Sequence, residues 1–272
     1  LRMSRGLRDV YKRQVQYMGG KSRIAQSIAD IISMTGGQHE IPRRQIQNCA
    51  GHRKRDLSEG GDCFVSLFCG SCAVESKVQG FSRKILNDRH QYLIALLQGV
   101  QRGYELPESI TPEQYRHIRE HKDDDPTLAG FVGFGCSFGG KWFGGYARNA
   151  TGTNYAAQSK RSLLKDMATL QDATFVCADY RRVCIPPRAV IYADPPYNNT
   201  TGYHGDRFDS AEFWIAMRLL ADTGHTVFVS EQEAPPDIQC VWERKFTRTL
   251  DRNKSNQFSV TEKLFFLPAK EV

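Results

Sequence analysis

The sequence predicts an α/β protein whose mostly parallel sheet is interrupted by an inserted helical module. Apolar runs and segments of helical period alternate along the chain, and one stretch, residues 126–165, differs sharply from the rest in composition. The 272 residues are enough for one large domain with an insertion. With 40% hydrophobic and 25% charged residues, a disordered chain is excluded, and no run approaches the ~18 apolar residues of a membrane span.

The first predicted helix follows the glycine-rich segment YMGGK at residues 17–21. Between residues 24 and 32, isoleucines recur at the spacing of one helix face, so a glycine-rich loop opens an amphipathic helix. Residues 35–61 are polar, rich in glycine and basic. We expect an exposed insertion with little regular structure there.

A βαβ pattern begins after this insertion. The apolar run at 63–68, the loop CGSC, the segment KILND at 84–88 and the apolar-periodic residues 92–100 predict strand, loop, helix, strand and helix. The pattern Thr-Pro-Glu-Gln at 111–114 is a capping box with proline at the first helical position. A helix is therefore predicted from there to about His121.

The sheet pattern returns after residue 170. A further helix is predicted to be capped at Asp209 or Ser210. The predicted strands of this half cover residues 173–180, 189–197 and 225–231, followed by a C-terminal pair that ends at 262–267. Strands on both sides of an inserted segment favour one sheet assembled from two parts of the chain.

The net charge of +7 is unevenly distributed along the chain. Residues 1–14 carry five Arg or Lys against one Asp, so they account for +4 of the total, and they show no period typical of a helix or strand. We set residues 1–14 apart as a tail that is non-native or disordered. An argument for a polyanionic partner must therefore rest on local clusters of charge.

The eight cysteines fall at irregular spacings, several of them inside apolar runs. This pattern is typical of reduced thiols in a cytoplasmic protein rather than of a disulfide framework. Cys69-x-x-Cys72 also raises a zinc or redox interpretation, with further candidate ligands at His39, Cys49, His52 and Cys63. Because only one pair has the short spacing of a structural zinc site, we expect no metal and inert buried thiols.

The motif Asp194-Pro195-Pro196-Tyr197 directly follows the apolar strand AVIYA. In open α/β sheets, ligands bind beyond the carboxyl ends of strands, and two prolines would stiffen a loop there and stop the strand. A strand stop with a packed tyrosine is the alternative interpretation.

The run Phe68-Cys69-Gly70-Ser71-Cys72 is followed eighteen residues after Gly70 by Asp88. A glycine turn after the first strand, with an acid about 20 residues later, is how the ribose of an adenosine-type cofactor is held. The full dinucleotide fingerprint is absent, because Cys72 and Glu75 stand where glycines would be needed. The pattern favours an adenosine cofactor without a pyrophosphate.

Residues 126–165 contain no Asp or Glu, five Lys or Arg, seven aromatic residues and repeated glycines. A surface that faces phosphates excludes carboxylates, whereas an ordinary solvent-exposed face mixes both signs of charge. A glycine-rich loop with a solvated helix face is the alternative interpretation. The candidate phosphate contacts are Lys141, Arg148, Lys160 and Arg161, and the candidates for a ring that wedges into a duplex are Trp142 and Tyr146.

Over about residues 15–268, these motifs together resemble the DNA adenine methyltransferases of the class that includes the bacterial GATC methylase and phage adenine methylases. The resemblance implies a Rossmann-like S-adenosylmethionine-dependent methyltransferase fold with an inserted, mainly helical target-recognition module. It implies a catalytic core formed by residues 15–110 and 171–272, and a DNA-binding module at residues 111–170.

The resemblance also implies roles for individual residues. The motif at 194–197 matches the family's catalytic motif, so its implied catalytic residues are Asp194, Pro195, Pro196 and Tyr197. The implied contacts to S-adenosylmethionine are Tyr17, Gly19, Gly20, Lys21, Phe68, Gly70, Asp88, Asp179 and Asp194. Among these, Asp88 corresponds to the ribose-binding acid and Asp179 to the residue that contacts the cofactor adenine.

The chemistry of methyl transfer to an amine agrees with these residues. An exocyclic amine conjugated to a purine is a poor nucleophile, and the Asp194 side chain and the Pro195 carbonyl can accept its two N–H bonds. The methyl group then transfers in line from a positioned sulfonium, without a covalent intermediate. The target base must leave the duplex to be reached, and Tyr197 offers a ring on which it can stack.

We therefore expect a site-specific enzyme that methylates the N6 amine of adenine in double-stranded DNA. We also expect a monomer in the cytoplasm of a bacterium or of a phage-infected host, acting without a restriction partner. Methylation of the N4 amine of cytosine would use the same arrangement of hydrogen-bond acceptors and is an alternative. RNA or a protein amide is a further alternative substrate. A catalytically silent DNA-binding protein on the same fold is an alternative of a different kind.

Overall fold

The computed structural model describes residues 21, 23–35, 62–150, 152–196, 208–249 and 257–271. Its strands are β1 (Cys63–Ser66), β2 (Arg83–Asp88), β3 (Thr174–Cys177), β4 (Val190–Ala193), β5 (Thr226–Glu231), β6 (Gln239–Thr249) and β7 (Gln257–Leu267). Its α-helices are α1 (Ala25–Ser33), α2 (Gln91–Gln101), α3 (Pro112–Glu120), α4 (Pro126–Gly130), α5 (Tyr155–Met167) and α6 (Ser210–Asp222). All of the strands that the sequence predicts are present.

The strands form one sheet in the order β3-β2-β1-β4-β5-β7-β6. Strand β1 is parallel to β2 and β4, and β4 is parallel to β5. Strand β7 lies between β5 and β6 and is antiparallel to both. The predicted α/β, Rossmann-like fold class is confirmed by this mostly parallel sheet with crossover connections.

The chain divides into two compact units. Unit 1 comprises residues 1–26, 70–77 and 88–171, and unit 2 comprises residues 27–69, 78–87 and 172–272. Helices α2 to α5 belong to unit 1, whereas the sheet, apart from the last residue of β2, and helix α6 belong to unit 2. The predicted boundaries of a catalytic core and a module at 111–170 stay a prediction. In the part of the chain that the structure describes, no helix has the length and apolar character needed to cross a membrane.

The core of unit 2 lies between one face of the sheet and helix α6. Apolar side chains of β1, β4 and β5, such as Val65, Ile191 and Val229, pack there with Phe213 and Met217 of the helix. Helix α6 begins where the sequence predicts, because the Asp209 carboxylate accepts hydrogen bonds from the first free backbone N–H groups. Parallel strands buried on both faces read as continuous apolar runs, which is why these strands were recognisable.

In unit 1, helices α3, α4 and α5 begin at side-chain caps. The predicted capping box of α3 is confirmed: the Thr111 hydroxyl accepts from the Gln114 backbone N–H, and the Gln114 side chain accepts from Thr111 N–H. Helix α4 continues into a π-helical turn, Phe131–Gly135. An added Cβ on Gly130 would lie 2.1 Å from the Tyr92 carbonyl oxygen, so only glycine permits the close approach of α4 to α2.

The helix that the sequence predicts between β1 and β2 is absent, and this prediction was wrong. The segment forms turns, with single helical hydrogen bonds such as Ser76 N–H to the Cys72 carbonyl. Cys72 has a φ of 59°, a left-handed conformation that side chains other than glycine rarely adopt. A helix cannot propagate through such a residue, so the connection remains a compact loop.

The side chain of Asn87, which is fully buried in β2, connects the ends of three strands. Its amide nitrogen donates to the carbonyl oxygens of Leu67, after β1, and Ala178, after β3, at 2.9 and 3.1 Å. Its amide oxygen accepts from Ala178 N–H at 3.0 Å. One amide therefore fixes the two loops that begin at the carboxyl ends of β1 and β3.

We expect Asn87→Asp to lower the free energy of unfolding by about 2–3 kcal/mol, because a carboxylate cannot donate to the two carbonyl oxygens and would be buried against them. Urea denaturation measures the change. Asn149→Asp is a matched control, since Asn149 is only half-buried and its contacts are to Thr153 in a surface turn. The control should remain within about 0.5 kcal/mol of the wild type. Equal effects of the two substitutions would contradict the role assigned to Asn87.

Candidate active site

The glycine loop after β1 is tied to the acid at the end of β2. The Gly70 backbone N–H donates to one oxygen of the Asp88 carboxylate at 3.1 Å, and His90 N–H donates to the other at 2.9 Å. Gly70 has a φ of 50°, a conformation that costs glycine little. The loop and the acid that the sequence paired eighteen residues apart are therefore in direct contact within unit 1.

Burial raises the pKa of Asp88, and the hydrogen bonds from the backbone N–H groups of His90 and Gly70 oppose that rise. Gly70 and His90 hold one carboxylate oxygen each, and the Arg89 backbone N–H is a third donor. An ionised carboxylate has about four acceptor positions, so this one can still accept a hydrogen bond from a hydroxyl group.

The loop after β1 carries an aromatic side chain that belongs to a cluster in unit 2. The Phe68 ring lies 5.2 Å from the Tyr180 ring and 6.2 Å from the Phe208 ring, and Phe213 of α6 lies behind it at 6.1 Å. Phe68 is only partly buried. It therefore combines a position fixed by neighbouring rings with an exposed portion that a planar ligand can contact.

Asp179 follows β3 and begins a short 3-10 turn, Tyr180–Arg182. Its carboxylate accepts from Arg181 in a two-point ion pair, with Nε and Nη2 donating at 2.8 and 2.9 Å. The third guanidinium nitrogen, Nη1, donates to Glu212 of α6 at 2.8 Å. Arg181 therefore orients the Asp179 side chain. The sequence analysis missed this residue, although its place two residues after the acid is a usable signal.

Asp194, Pro195 and Pro196 follow the last residue of β4, as predicted. Asp194 is half-buried, Pro195 is buried and Pro196 is exposed. Strands β1 and β4 are neighbours in the sheet. From β1 the chain runs outward through β2 to β3 on one side, and it then returns to β4 on the other side of β1. The carboxyl ends of β1 and β4 thus flank the point where the strand order reverses, the usual ligand position of open α/β sheets.

Other predicted cofactor contacts lie near the start of the chain. Lys21 is buried and lies four residues before the start of α1, and its carbonyl oxygen accepts from the N–H groups of Ile24 and Ala25. Four predicted site residues lie outside the described residues, namely Tyr17, Gly19, Gly20 and Tyr197.

The two aromatic rings that the sequence analysis offered as wedges are packed inside unit 1. Trp142 stacks on Tyr92 at 4.9 Å and contacts the rings of His90, Phe134 and Phe143. Tyr146 packs edge-on against another ring, and its hydroxyl donates to the Ile110 carbonyl at 2.7 Å. Inserting either ring into a duplex would break these contacts.

The exposed aromatic ring of the module is instead Phe138, with 70% of its surface accessible. It precedes Gly139 and Gly140, which both have positive φ, at the tip of a turn. The Tyr115 hydroxyl holds the base of this turn through Ser137 Oγ at 2.7 Å and Gly145 N–H at 3.2 Å. The sequence analysis counted Phe138 among the aromatics but missed its exposure, which the following glycine pair could have indicated.

The four predicted phosphate contacts differ in their surroundings. Lys141, Arg148 and Arg161 are exposed. Lys160 is half-buried, and its Nζ lies 2.6 Å from the Glu108 carboxylate. Three of the cations are therefore presented to solvent, whereas the charge of Lys160 is compensated within unit 1.

Cys69 and Cys72 are buried free thiols, as expected. Their predicted inertness is not tested. The described residues contain no group of three or more His, Cys, Asp or Glu side chains placed to hold a metal ion. Three other predicted candidates for a zinc site, His39, Cys49 and His52, fall in the range that is not described.

Residues 43–128 match the model of the family described as D12 class N6 adenine-specific DNA methyltransferase. The resemblance to that class is confirmed. The matched residues include Phe68, Gly70 and Asp88, whereas Asp179 and Asp194 lie beyond them. The D12 match thus covers the glycine loop and its acid. No curated protein sequence is similar enough to count as a match.

Among solved structures, 55 chains match. A conserved hypothetical protein of Streptococcus pyogenes is 10% identical, with a TM-score of 0.32 over 77% of this chain and 88% of its own. The Escherichia coli protein yhhF, described as a candidate methyltransferase, is 11% identical, with a TM-score of 0.32 over 76% of both chains. SMU.472, a further candidate methyltransferase solved in complex with SAH, is 10% identical, with a TM-score of 0.33 over 97% of this chain and 56% of its own. These overlaps are loose, so the fold class rests on the strand order itself.

The raised pKa of Asp88 generates a pH-dependent prediction. The folded protein keeps a proton on this carboxyl to a higher pH than the unfolded chain does. The contribution of Asp88 to the free energy of unfolding is therefore fully present below about pH 4, near the pKa of Asp in the unfolded chain. It is lost as pH rises through the higher pKa of the folded protein. We expect the unfolding free energy of the wild type, relative to that of Asp88→Asn, to increase as pH is lowered from 7 to 4. Denaturation of both proteins at each pH tests this, and a decrease would contradict it.

Proposed function

We propose that the chain is a site-specific DNA methyltransferase that transfers a methyl group from S-adenosylmethionine to the N6 amine of adenine in duplex DNA. The D12 family match supports the reaction and the class of substrate. The observation that carries the proposal is the position of Asp194 and Pro195, directly after β4 at the carboxyl edge of the sheet and beside the reversal of strand order.

The residues present fit an adenosine cofactor without phosphates. The Asp88 carboxylate is fixed by backbone donors and keeps acceptor capacity for a ribose hydroxyl. Phe68 offers a ring face for the adenine, and Asp179, oriented by Arg181, is an acceptor for its amine. When bound, S-adenosylmethionine supplies an electrophilic methyl group on a sulfonium.

Asp194 and Pro195 act on the target amine. The Asp194 carboxylate and the Pro195 carbonyl oxygen accept its two N–H bonds, which draws the nitrogen lone pair out of conjugation with the purine. When bound, the cofactor would supply the methyl group to that nitrogen and leave as the neutral thioether, and the proton that the methylated nitrogen loses would pass to solvent. Positioning and electrostatic stabilisation supply the rate enhancement, and no covalent enzyme intermediate is required.

The DNA contacts of the proposal come from the surface of unit 1. Lys141 and Arg148 are exposed cations within a stretch of forty residues that lacks acids, as a phosphate-facing surface requires. Phe138 projects from a turn that begins three residues before Lys141. Apolar side chains inserted between base steps unstack them, so Phe138 replaces Trp142 and Tyr146 as our wedge candidate. Tyr197 remains the proposed platform for the flipped base.

Asp194→Ala should reduce methyl transfer at least ~100-fold, because an acceptor for the amine is lost in the transition state. Affinity for the cofactor product should stay within a few fold. Tritium transfer from labelled cofactor to duplex DNA measures the rate, and isothermal titration measures binding. Asp194→Asn, which keeps one acceptor oxygen, should lie between alanine and the wild type.

Nucleoside analysis of the labelled product separates the proposal from its alternatives. Label in N6-methyladenine supports the proposal, whereas label in N4-methylcytosine or in an RNA substrate would contradict it. Wild-type protein that binds DNA but transfers no label to any substrate would indicate a silent DNA-binding protein. Near-normal activity of Asp194→Ala would move the catalytic assignment to other residues.

Lys141→Ala and Arg148→Ala should each flatten the salt dependence of DNA binding by about one unit of log–log slope, the effect of losing one phosphate contact. Binding titrations at several salt concentrations measure the slopes. Lys160→Ala is the matched control, because its charge is already paired with Glu108 and its loss should change the slope less. Identical slopes for all three variants and the wild type would show that these cations do not contact phosphates.

A further inference from the structure

Ser230, near the end of β5, is fully buried, and its hydroxyl has no hydrogen-bond partner among the described residues. A buried hydroxyl left unpaired destabilises a fold, and alanine at the same position would carry no such penalty. The position therefore holds a polar group that the folding of unit 2 does not require.

The strand register assigns Ser230 a specific neighbour. Strands β4 and β5 are parallel, and their last registered pair is Ala193 with Val229. The next residue of β5 is Ser230, and the residue that directly follows β4 is Asp194. Ala193 and Val229 both face the apolar core against α6, so the alternation of side chains turns Asp194 and Ser230 together to the opposite face. Adjacent strands lie about 4.8 Å apart, which is within reach of a serine hydroxyl and a carboxylate.

We propose that Ser230 is a positioning residue whose hydroxyl donates to the Asp194 carboxylate when the target amine is engaged. A serine hydroxyl has one proton to donate, and an ionised carboxylate is the strongest acceptor available to it. The bond fixes the carboxylate that receives the amine N–H, and it satisfies the buried hydroxyl at the same time. This inference rests on the proposed function, because it assigns Ser230 a role through Asp194.

Steady-state kinetics and thermal melting of Ser230→Ala test the inference. We expect kcat to fall about tenfold, the size of one hydrogen bond to a charged group, with the KM values for cofactor and DNA within about twofold. The melting temperature should equal or exceed that of the wild type. Ser230→Thr, which keeps the hydroxyl, should restore most of kcat.

Ser159→Ala provides the matched control for stability. Ser159 is also a buried serine, but its hydroxyl donates to the Gly135 carbonyl at 2.7 Å, so its removal should lower the melting temperature. A fall for Ser230→Ala as large as that of Ser159→Ala, or an unchanged kcat, would overturn the inference. A wild-type protein that transfers no methyl group would overturn the proposed function, and the melting comparison would still decide whether the Ser230 hydroxyl is paired in the fold.

Discussion

Much of the candidate site depends on one buried amide. Asn87 must satisfy two donors and an acceptor in a place closed to water, and it does so with the backbone of the loops after β1 and β3. Phe68 and Asp179 each come directly after a backbone group that this amide holds, so the amide helps to fix the positions of both side chains. The neighbouring residue, Asp88, meets a different set of backbone donors. Of two consecutive residues of β2, Asn87 therefore holds the loops after β1 and β3, and Asp88 is the residue that we propose for cofactor binding.

The elements recognisable from the sequence are those whose signals are local. Buried parallel strands read as apolar runs, and the caps at Thr111 and Asp209 use side chains that bond to backbone groups two or three residues away. The pairing of Gly70 with Asp88 was also predictable, because its spacing follows from a strand–loop–strand unit. The role that we propose for Asp194 could likewise be reasoned from its residue type and its place after a strand.

The features that the sequence concealed depend on tertiary contacts or on single dihedral angles. In the sequence, Asn87 looks like an ordinary strand residue, because its role depends on contacts with the loop after β3, 91 residues away. Arg181 is one of many basic residues; its place two residues after Asp179 is a weak signal, and the ion pairs with Asp179 and Glu212 distinguish it. The number of aromatic residues in a segment does not say which ring is packed, so a count alone does not separate Phe138 from Trp142; only the glycine pair that follows Phe138 is a local signal.

The left-handed backbone of Cys72 has a consequence for how the glycine loop can vary. A residue with a Cβ in this conformation carries a backbone strain of about 1–2 kcal/mol, whereas glycine carries almost none. A single nucleotide change converts a cysteine codon into a glycine codon. A single substitution, Cys72→Gly, would therefore release this strain while Gly70 and Asp88 stay unchanged. Stability and ligand recognition can be adjusted separately at this turn, because the strained residue makes neither of the backbone contacts to the acid.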